Sequence, residues 1–275
     1  MMNAIQNCTV LSNGVKMPWL GLGVWKMKDD GETEAAVSAA LQAGYRAIDT
    51  AAVYGNEQGV GAAVNGSGIA RDQIFVTTKV WNTDQGYDTS LRAFDESMKR
   101  LDMDYVDLLL IHWPVKGKYK ETWRALEQIY RDGRARAIGV SNFHIHHLQD
   151  LMASSDLVPM VNQVEYHPLL TQEELMAFCA TNKIQPTAWS PLMQGNLDVP
   201  LLAEIGAKHS KSAAQVVLRW DLQNGVVTIP KSTNPSRLKE NSEVFDFQLS
   251  AEEMAQISAL NRNQRFGADP DNFNF

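Results

Sequence analysis

The feature that most constrains the fold of this chain is an alternation of short apolar runs with longer helical patterns. From residue 20 onward, about eight apolar runs recur at roughly regular spacing, each followed by a segment with helical periodicity. Because the runs are apolar along nearly their whole length, they predict a parallel sheet covered by helices on both faces. The predicted strands are 20–23, 46–49, 74–80, 106–112, 135–140, 160–164, 184–188 and 226–229.

The intervening segments predict ten helices. They cover residues 32–44, 58–65, 89–101, 121–132, 146–154, 172–182, 201–208, 213–224, 235–244 and 251–260. Eight strand–helix units in 275 residues match a (β/α)8 barrel, which typically needs about 250 residues. A doubly wound open sheet shows the same alternation, and we favour the barrel. An Asn13-Gly14 turn within 10–17 predicts an N-terminal β-hairpin that acts as a lid or plug, and the last two helices are extra C-terminal ones.

Composition narrows the class of protein. The net charge is -7, with 44% hydrophobic and 21% charged residues, which is typical of a globular protein and unlike a nucleic-acid-binding face. No apolar run is long enough for a membrane span, and residues 1–7 lack the apolar core of a signal peptide. Two cysteines are too few for a disulfide framework. We therefore expect one domain over 1–275, a cytoplasmic location, and neither a nucleic-acid nor a membrane partner.

Polar side chains stand where several of these apolar strands end. They are Asp49 with Tyr54 in the following loop, Lys79, His112, Ser141 with Asn142, and Gln163 with Glu165. Each of these residues, taken alone, could equally be a strand-end residue that faces solvent or, for His112, a hydrogen-bonded core histidine without a functional role. Residues at equivalent ends of successive barrel strands meet at one face, where catalytic groups project. Their joint occurrence favours a common site.

The four residues Asp49, Tyr54, Lys79 and His112 permit one specific reaction. A free tyrosine titrates near about 10, and we expect a neighbouring lysine ammonium to lower that pKa. Asp49 would hold Lys79, and His112 would orient a carbonyl or assist the proton transfer. Given a hydride donor, Tyr54 would protonate the developing alkoxide. The residues therefore predict carbonyl reduction.

A nucleotide site is expected after the last strand. The glycine pairs at 21–23 and 59–61 do not complete G-x-G-x-x-G between a strand and a helix, so a Rossmann fingerprint is not supported. The segment 229–233, with Arg237 beyond it, places Lys231 and Ser232 at a loop that enters a helix, as a phosphate requires. A solvated helix cap would look the same.

Three separated signatures resemble the aldo-keto reductase family. They are GYRAIDTA at 44–51, continuing to Glu57, Val60 and Gly61; RAIGVSNF at 136–143; and IPKS at 229–232 with Arg237, Glu240 and Asn241. The resemblance spans nearly the whole chain in the family's order. It implies a (β/α)8 barrel that binds NADPH or NADP+ without a Rossmann domain.

The resemblance also implies residue roles. Tyr54 becomes the proton donor of a tetrad completed by Asp49, Lys79 and His112. The matching cofactor positions are Ser141, Asn142 and Gln163 at the nicotinamide carboxamide; Ser190 and Leu192 along the pyrophosphate; Lys231, Ser232 and Arg237 at the 2'-phosphate; Glu240 and Asn241 at the adenine; and Thr50 and Thr233 within the first and third signatures. No metal is implied.

Trp189 matches the position of the ring that stacks on the nicotinamide, a tyrosine in many animal members. In this it resembles the bacterial branch with diketogluconate and glyoxal reductases. Trp25, Trp81 and Trp113 are expected to wall an apolar substrate pocket beside Tyr54 and His112. A short loop at 116–119 and a short tail at 269–273 predict an open, weakly selective pocket for small carbonyls, dicarbonyls such as methylglyoxal included. We expect a monomer.

Two other functions fit parts of the pattern. A nucleotide-sensing subunit would bind NADPH yet turn over poorly, and a barrel isomerase would use the residues from Lys231 to Asn241 for a substrate phosphate. The sequence shows no partner-binding extension, which disfavours the subunit, and the tetrad together with the three signatures makes NADPH-dependent reduction of aldehydes and ketones the leading hypothesis.

Overall fold

A computed structural model describes residues 4–275, and residues 1–3, on which part of the signal-peptide expectation falls, lie outside the described residues. Eight parallel strands pair in chain order. They are β3 (Leu22–Gly23), β4 (Ala47–Asp49), β5 (Phe75–Val80), β6 (Val106–Ile111), β7 (Ala135–Ser141), β8 (Val161–Glu165), β9 (Gln185–Trp189) and β10 (Val227–Thr228). Every residue of β5 and β6 is buried, as continuous apolar strands require.

The first and last strands of this sheet meet, which closes the barrel. The Gly21 backbone N–H donates to the Thr228 carbonyl at 3.0 Å, and the Thr228 N–H donates to the Trp19 carbonyl at 3.0 Å. Gly23 is needed at this junction, because a Cβ there would lie 2.9 Å from the Ile229 carbonyl oxygen. The (β/α)8 prediction is confirmed, and the open-sheet alternative is wrong.

Ten helices surround or follow the strands, close to the predicted positions. They are α1 (Glu32–Gln42), α2 (Glu57–Gly66), α3 (Tyr87–Leu101), α4 (Tyr119–Arg131), α5 (Ile145–Met152), α6 (Glu173–Thr181), α7 (Pro200–His209), α8 (Ala213–Gln223), α9 (Pro235–Ser242) and α10 (Ala251–Ser258). Among residues 4–275, no helix combines the length and apolarity needed to cross a bilayer.

The predicted N-terminal hairpin is confirmed, with β1 (Cys8–Val10) antiparallel to β2 (Lys16–Pro18). It lies at the end of the barrel where the strands begin. The Thr9 hydroxyl contacts Gln185, the first residue of β9, at 2.8 Å, and the Asn13 amide donates to the Arg136 carbonyl near the start of β7. Of the two roles predicted for it, the plug is therefore the one observed. The opposite end stays free for a site.

Candidate active site

A cavity of about 1100 Å³ opens at the carboxyl ends of the strands. It gathers nearly all of the predicted site residues at one place. Those lining it are Asp49, Tyr54, His112, Ser141, Asn142, Gln163, Trp189, Ser190, Leu192, Lys231, Ser232, Thr233, Arg237, Glu240 and Asn241, together with the predicted pocket residues Trp25, Trp81 and Trp113. Lys79 and Thr50 are buried directly behind Asp49 and Tyr54.

Lys79 links the groups at the floor of the cavity. Its Nζ lies 2.5 Å from Asp49 Oδ1, 2.9 Å from the Thr50 carbonyl oxygen and 3.4 Å from the Tyr54 hydroxyl. Burial lowers the pKa of Lys79, but the Asp49 carboxylate and the hydrogen bonds to Asp49 and Tyr54 outweigh it, so the net shift is upward. Lys79 is therefore a fixed ammonium at neutral pH. Thr50 contributes a backbone acceptor here, while its hydroxyl donates to Asn56 at 2.8 Å.

Tyr54 stands at the end of a 3-10 turn, Ala52–Tyr54, that follows β4. Gly55 ends this turn with φ +67°, a conformation that glycine adopts without strain. Burial raises the pKa of Tyr54, and the opposing effect of the Lys79 charge is smaller, so the net shift is upward. The expectation that Lys79 brings this pKa below 10 is therefore wrong for the protein alone, because desolvation is the larger effect. Tyr54 carries its proton at neutral pH.

His112 lies beside Tyr54, with ring centroids 5.7 Å apart in an edge-to-face arrangement. Burial, reinforced by the Lys79 charge, lowers the pKa of His112 well below 6.5. The imidazole is therefore neutral at neutral pH. Of its two predicted roles, a neutral ring suits orientation of a carbonyl oxygen better than proton donation.

Hydrogen bonds of Ser141, Asn142 and Gln163 connect the tetrad residues to Trp189. Asn142 has φ +65°; its amide nitrogen donates to the His112 carbonyl at 2.9 Å, and its amide oxygen accepts from Trp189 Nε1 at 2.8 Å. The Ser141 hydroxyl donates to the Gln163 carbonyl at 2.8 Å, and Gln163 Nε2 donates to Asp49 Oδ2 at 2.7 Å. One network thus fixes the Trp189 ring and the Asp49 carboxylate together.

The other end of the cavity is exposed and cationic. Lys231 and Arg237 are exposed, and among residues 4–275 neither forms an ion pair with another side chain. Asn234 caps α9 by accepting from the backbone N–H groups of Ser236 and Arg237. Two unpaired cations beside a helix N-terminus are an arrangement that could hold an anion.

Sequence reasoning missed a further wall of the cavity, supplied by the 266–275 segment. Glu165 is fully buried, and its carboxylate accepts from the backbone N–H groups of Phe266 at 2.6 Å and Gly267 at 3.2 Å. A Cβ on Gly267 would lie 2.3 Å from Trp189 Cη2. Phe275 stacks on Trp81 with centroids 5.9 Å apart. The tail predicted to leave the pocket open lies against it, and its alternating phenylalanines were the available signal.

Comparison with known proteins identifies the family. Residues 19–262 match the model of the aldo/keto reductase family. The chain belongs to this family. It is thus an oxidoreductase of the carbonyl-reducing type, and its barrel, its strand-end site and its lack of a Rossmann fingerprint agree with the assignment.

The aldo-keto reductase has relatives that match it over nearly its whole length. Glyoxal reductase of Bacillus subtilis (strain 168) is 56% identical, with 100% of each chain covered. Methylglyoxal reductase DkgA of Salmonella typhimurium is 46% identical over 96% of each chain. A solved structure of a Gox0644 mutant in complex with NADPH superimposes with a TM-score of 0.93 at 44% identity, covering 98% of each chain.

Proposed function

We propose that this aldo-keto reductase reduces aldehydes and ketones to alcohols with NADPH, small dicarbonyls such as methylglyoxal included, and that Tyr54 is the proton donor. The observation that carries the proposal is Lys79, whose ammonium bridges the Asp49 carboxylate and the Tyr54 hydroxyl at the cavity floor. Relatives named as glyoxal and methylglyoxal reductases support the substrate class.

The residues present fit NADPH. The cavity runs from the tetrad past the Trp189 ring to the exposed cations Lys231 and Arg237. Trp189 is held by Asn142, so one face of a rigid aromatic ring is available to the nicotinamide. Lys231, Ser232, Thr233 and Arg237 would hold the 2'-phosphate, and Glu240 and Asn241 the adenine. An NADPH-bound structural neighbour supports this choice.

When bound, NADPH supplies a hydride to the carbonyl carbon. His112 orients the carbonyl oxygen toward the Tyr54 hydroxyl, and Tyr54 gives its proton to that oxygen as negative charge develops there. The Lys79 ammonium stabilises the phenolate that remains, so the raised pKa of the resting phenol does not prevent transfer. Asp49 acts only through Lys79, which it keeps charged and in place. Trp25, Trp81 and Trp113 form the apolar substrate walls.

NADPH oxidation tests this proposal. The wild type should oxidise NADPH with methylglyoxal and with 4-nitrobenzaldehyde, and Tyr54→Phe should lose turnover by about 10²- to 10⁴-fold, the usual contribution of general acid–base catalysis. NADPH binding should persist in Tyr54→Phe, which separates a lost proton donor from a lost fold. Tyr105→Phe removes a hydroxyl at the opposite end of β6 and should retain full activity. Retained turnover in Tyr54→Phe would refute the proton-donor role.

Two finer features of this proposal concern the setting in which the enzyme acts. We propose a cytoplasmic monomer with no nucleic-acid or membrane partner. Cys8 and Cys179 are both free thiols, as a reducing compartment favours. Sedimentation velocity on the purified protein, with a dimer as the contrary result, tests the monomer.

A further inference from the structure

A cluster outside the tetrad joins the 266–275 segment to the barrel. Three histidines at the start of α5 surround Asp271: His144 Nδ1 lies 2.9 Å from Asp271 Oδ2, His146 Nε2 lies 3.0 Å from Oδ1, and His147 Nε2 lies 3.5 Å from Oδ1. One potential ligand atom from each residue lies within 4.8 Å of the others. Three histidines and a carboxylate are also a zinc-binding composition.

The second nitrogen of each inner ring distinguishes a metal site from a carboxylate-binding site. Arg265 Nη2 lies 3.0 Å from His144 Nε2, and a guanidinium only donates, so Nε2 must accept and the neutral ring carries its proton on Nδ1. The His144 backbone N–H donates to His147 Nδ1 at 3.2 Å, which places the proton of His147 on Nε2. The ring nitrogens of His144 and His147 that face Asp271 are therefore N–H donors without a free lone pair.

Metal-bound histidines show the opposite pattern. Their second nitrogen donates to a carboxylate or a carbonyl, which leaves the first free to bind the metal. Here the second nitrogens of His144 and His147 receive hydrogen bonds, and each would have to exchange a proton and lose a partner before binding zinc. The arrangement is therefore a set of N–H groups converging on one carboxylate. We call these four residues, His144, His146, His147 and Asp271, the histidine clasp.

Asp271 belongs to a segment that carries Phe275, which lines the pocket, and Phe273, which packs behind it. Phe273 lies against Trp113, with centroids 5.1 Å apart, and Phe275 lies 5.2 Å from the same ring. The Phe275 carbonyl accepts from the Asn82 amide at 3.0 Å. Pro270, next to Asp271, is buried. Asp271 therefore joins the segment to the start of α5 just before the two phenylalanines.

We propose that Asp271 is a positioning residue for substrate selection: through the histidine clasp it keeps Phe273 and Phe275 against Trp113 and so completes the apolar wall of the pocket. This inference rests on the proposed carbonyl reduction. The completed wall favours carbonyl compounds with an aromatic group, which reach these rings, over small dicarbonyls, which fill the space near Tyr54 alone. His144 follows Asn142 by two residues, so the clasp is anchored on the loop that holds Trp189.

The decisive variant is Asp271→Asn, with Asp269→Asn as its matched control. Asp269 is an exposed carboxylate of the same segment, and the asparagine keeps the oxygen that accepts the Asp271 backbone N–H. Asp271→Asn should raise the KM for 4-nitrobenzaldehyde about five-fold, since an exposed charged contact contributes on the order of 1 kcal/mol and 1.4 kcal/mol is a factor of ten. Its kcat should stay unchanged, and the KM for methylglyoxal should rise less. Asp269→Asn should match the wild type for both substrates.

Hydrogen–deuterium exchange of the peptide covering 266–275 gives a readout that does not depend on activity. Exchange should accelerate in Asp271→Asn and in His146→Gln, and not in Asp269→Asn. His146→Gln leaves in place His144, the N-cap residue of α5, and His147, whose ring accepts the His144 backbone N–H. Unchanged exchange in Asp271→Asn would overturn the clasp. Faster exchange with equal KM changes for both substrates would overturn the selection role. A wild type that reduces neither substrate would refute the proposed function and with it the selection role, while the exchange result still decides whether the clasp holds the segment.

Zinc titration distinguishes a metal site from a set of histidine N–H groups that bind the Asp271 carboxylate. With Zn²⁺ added in excess, the melting temperature of the wild type should not rise relative to that of Asp271→Asn. A zinc-dependent rise in the wild type that Asp271→Asn abolishes would show a metal site and overturn the carboxylate assignment.

Discussion

The two ends of the cavity differ in whether their charged side chains are buried and paired. At the tetrad, Lys79 is 1% exposed and Asp49 is 5% exposed, and each has protein partners within hydrogen-bond distance. At the far end, Lys231 and Arg237 are exposed and have no ion-pair partner among the described residues. The charged groups of the first region are thus satisfied within the protein, whereas those of the second are open to the phosphate proposed for them.

The difference follows from the cost of burying charge. An isolated ion in an apolar interior is destabilising by several kcal/mol, so Lys79 can be buried only with Asp49 beside it. Exposed cations remain hydrated, so an unpaired exposed cation carries little desolvation cost in the unbound protein. We therefore expect changes at the tetrad to alter turnover with little effect on NADPH affinity, and changes at the far end to do the reverse.

The largest expected effect is that of Lys79→Met. Loss of the ammonium removes the group that stabilises the Tyr54 phenolate, so kcat should fall by about 10²- to 10⁴-fold, as for loss of an acid–base group. The variant also leaves Asp49 as an unpaired buried carboxylate, which typically destabilises a protein by about 3–5 kcal/mol. Steady-state kinetics and chemical denaturation measure the two effects separately.

The double variant Lys79→Met with Asp49→Asn distinguishes chemistry from stability. With both charges removed, the free energy of unfolding should recover most of its loss, while kcat stays low. Recovery of kcat together with stability would show that the single variant was inactive only because it was damaged.

A smaller effect is expected from Arg237→Ala at the far end. It removes the charged hydrogen-bond donor that we propose for the 2'-phosphate, and such a contact contributes about 1.5–3 kcal/mol, so the Kd for NADPH should rise about 10- to 100-fold. NADH lacks this phosphate, so its Kd should change little, and kcat at saturating NADPH should be unaffected. Fluorescence titration gives both Kd values.

Lys239→Ala is the matched control, because Lys239 is an exposed cation on the same helix, α9, but does not line the cavity. It should bind NADPH like the wild type. Equal losses for NADPH and NADH in Arg237→Ala would contradict the 2'-phosphate role.

A further effect depends on pH and concerns Asp221, a buried carboxyl that accepts from the Thr228 hydroxyl at 2.8 Å and, unlike Asp49, forms no ion pair among residues 4–275. Burial raises the pKa of Asp221 well above its usual value near 4. The folded state thus keeps a proton that the unfolded chain releases, so stability is fully present below pH about 4 and falls as pH rises toward the folded pKa, by up to about 1.4 kcal/mol per pH unit.

Asp221→Asn removes this titration. The free energy of unfolding of the variant, relative to that of the wild type, should be higher at pH 8 than at pH 5. Chemical denaturation of both proteins at the two pH values measures this difference. Any fixed cost of the amide is the same at both pH values and cancels in the comparison. A difference that does not vary with pH would show that Asp221 is not held neutral.

Much of this architecture was readable from residue types and spacing. Continuous apolar strands predicted a parallel sheet, because strands buried on both faces need apolar residues along their whole length. Their regular separation by helices favoured the barrel. Asp49, Lys79 and His112 were found because a polar residue at the end of an apolar strand is costly and therefore conspicuous. The Trp189 position and the cofactor residues came instead from resemblance to a family.

Other features depended on contacts between distant segments. The net direction of the Tyr54 pKa shift is set by how deeply the phenol is buried relative to its distance from Lys79, and no spacing in the sequence states either quantity. The wall that includes Phe275 required Glu165 to accept from the backbone of Phe266 and Gly267, which lie 101 and 102 residues away along the chain.

Local patterns of burial in the sequence were enough to predict the parallel strands, the helices between them and the polar groups at the strand ends, and they favoured the barrel over an open sheet. Only the tertiary structure decided which of those groups are charged, which of the hairpin's two predicted roles applies, and whether the pocket has a further wall. Those properties depend on desolvation and on through-space distances, which arise when the chain is packed.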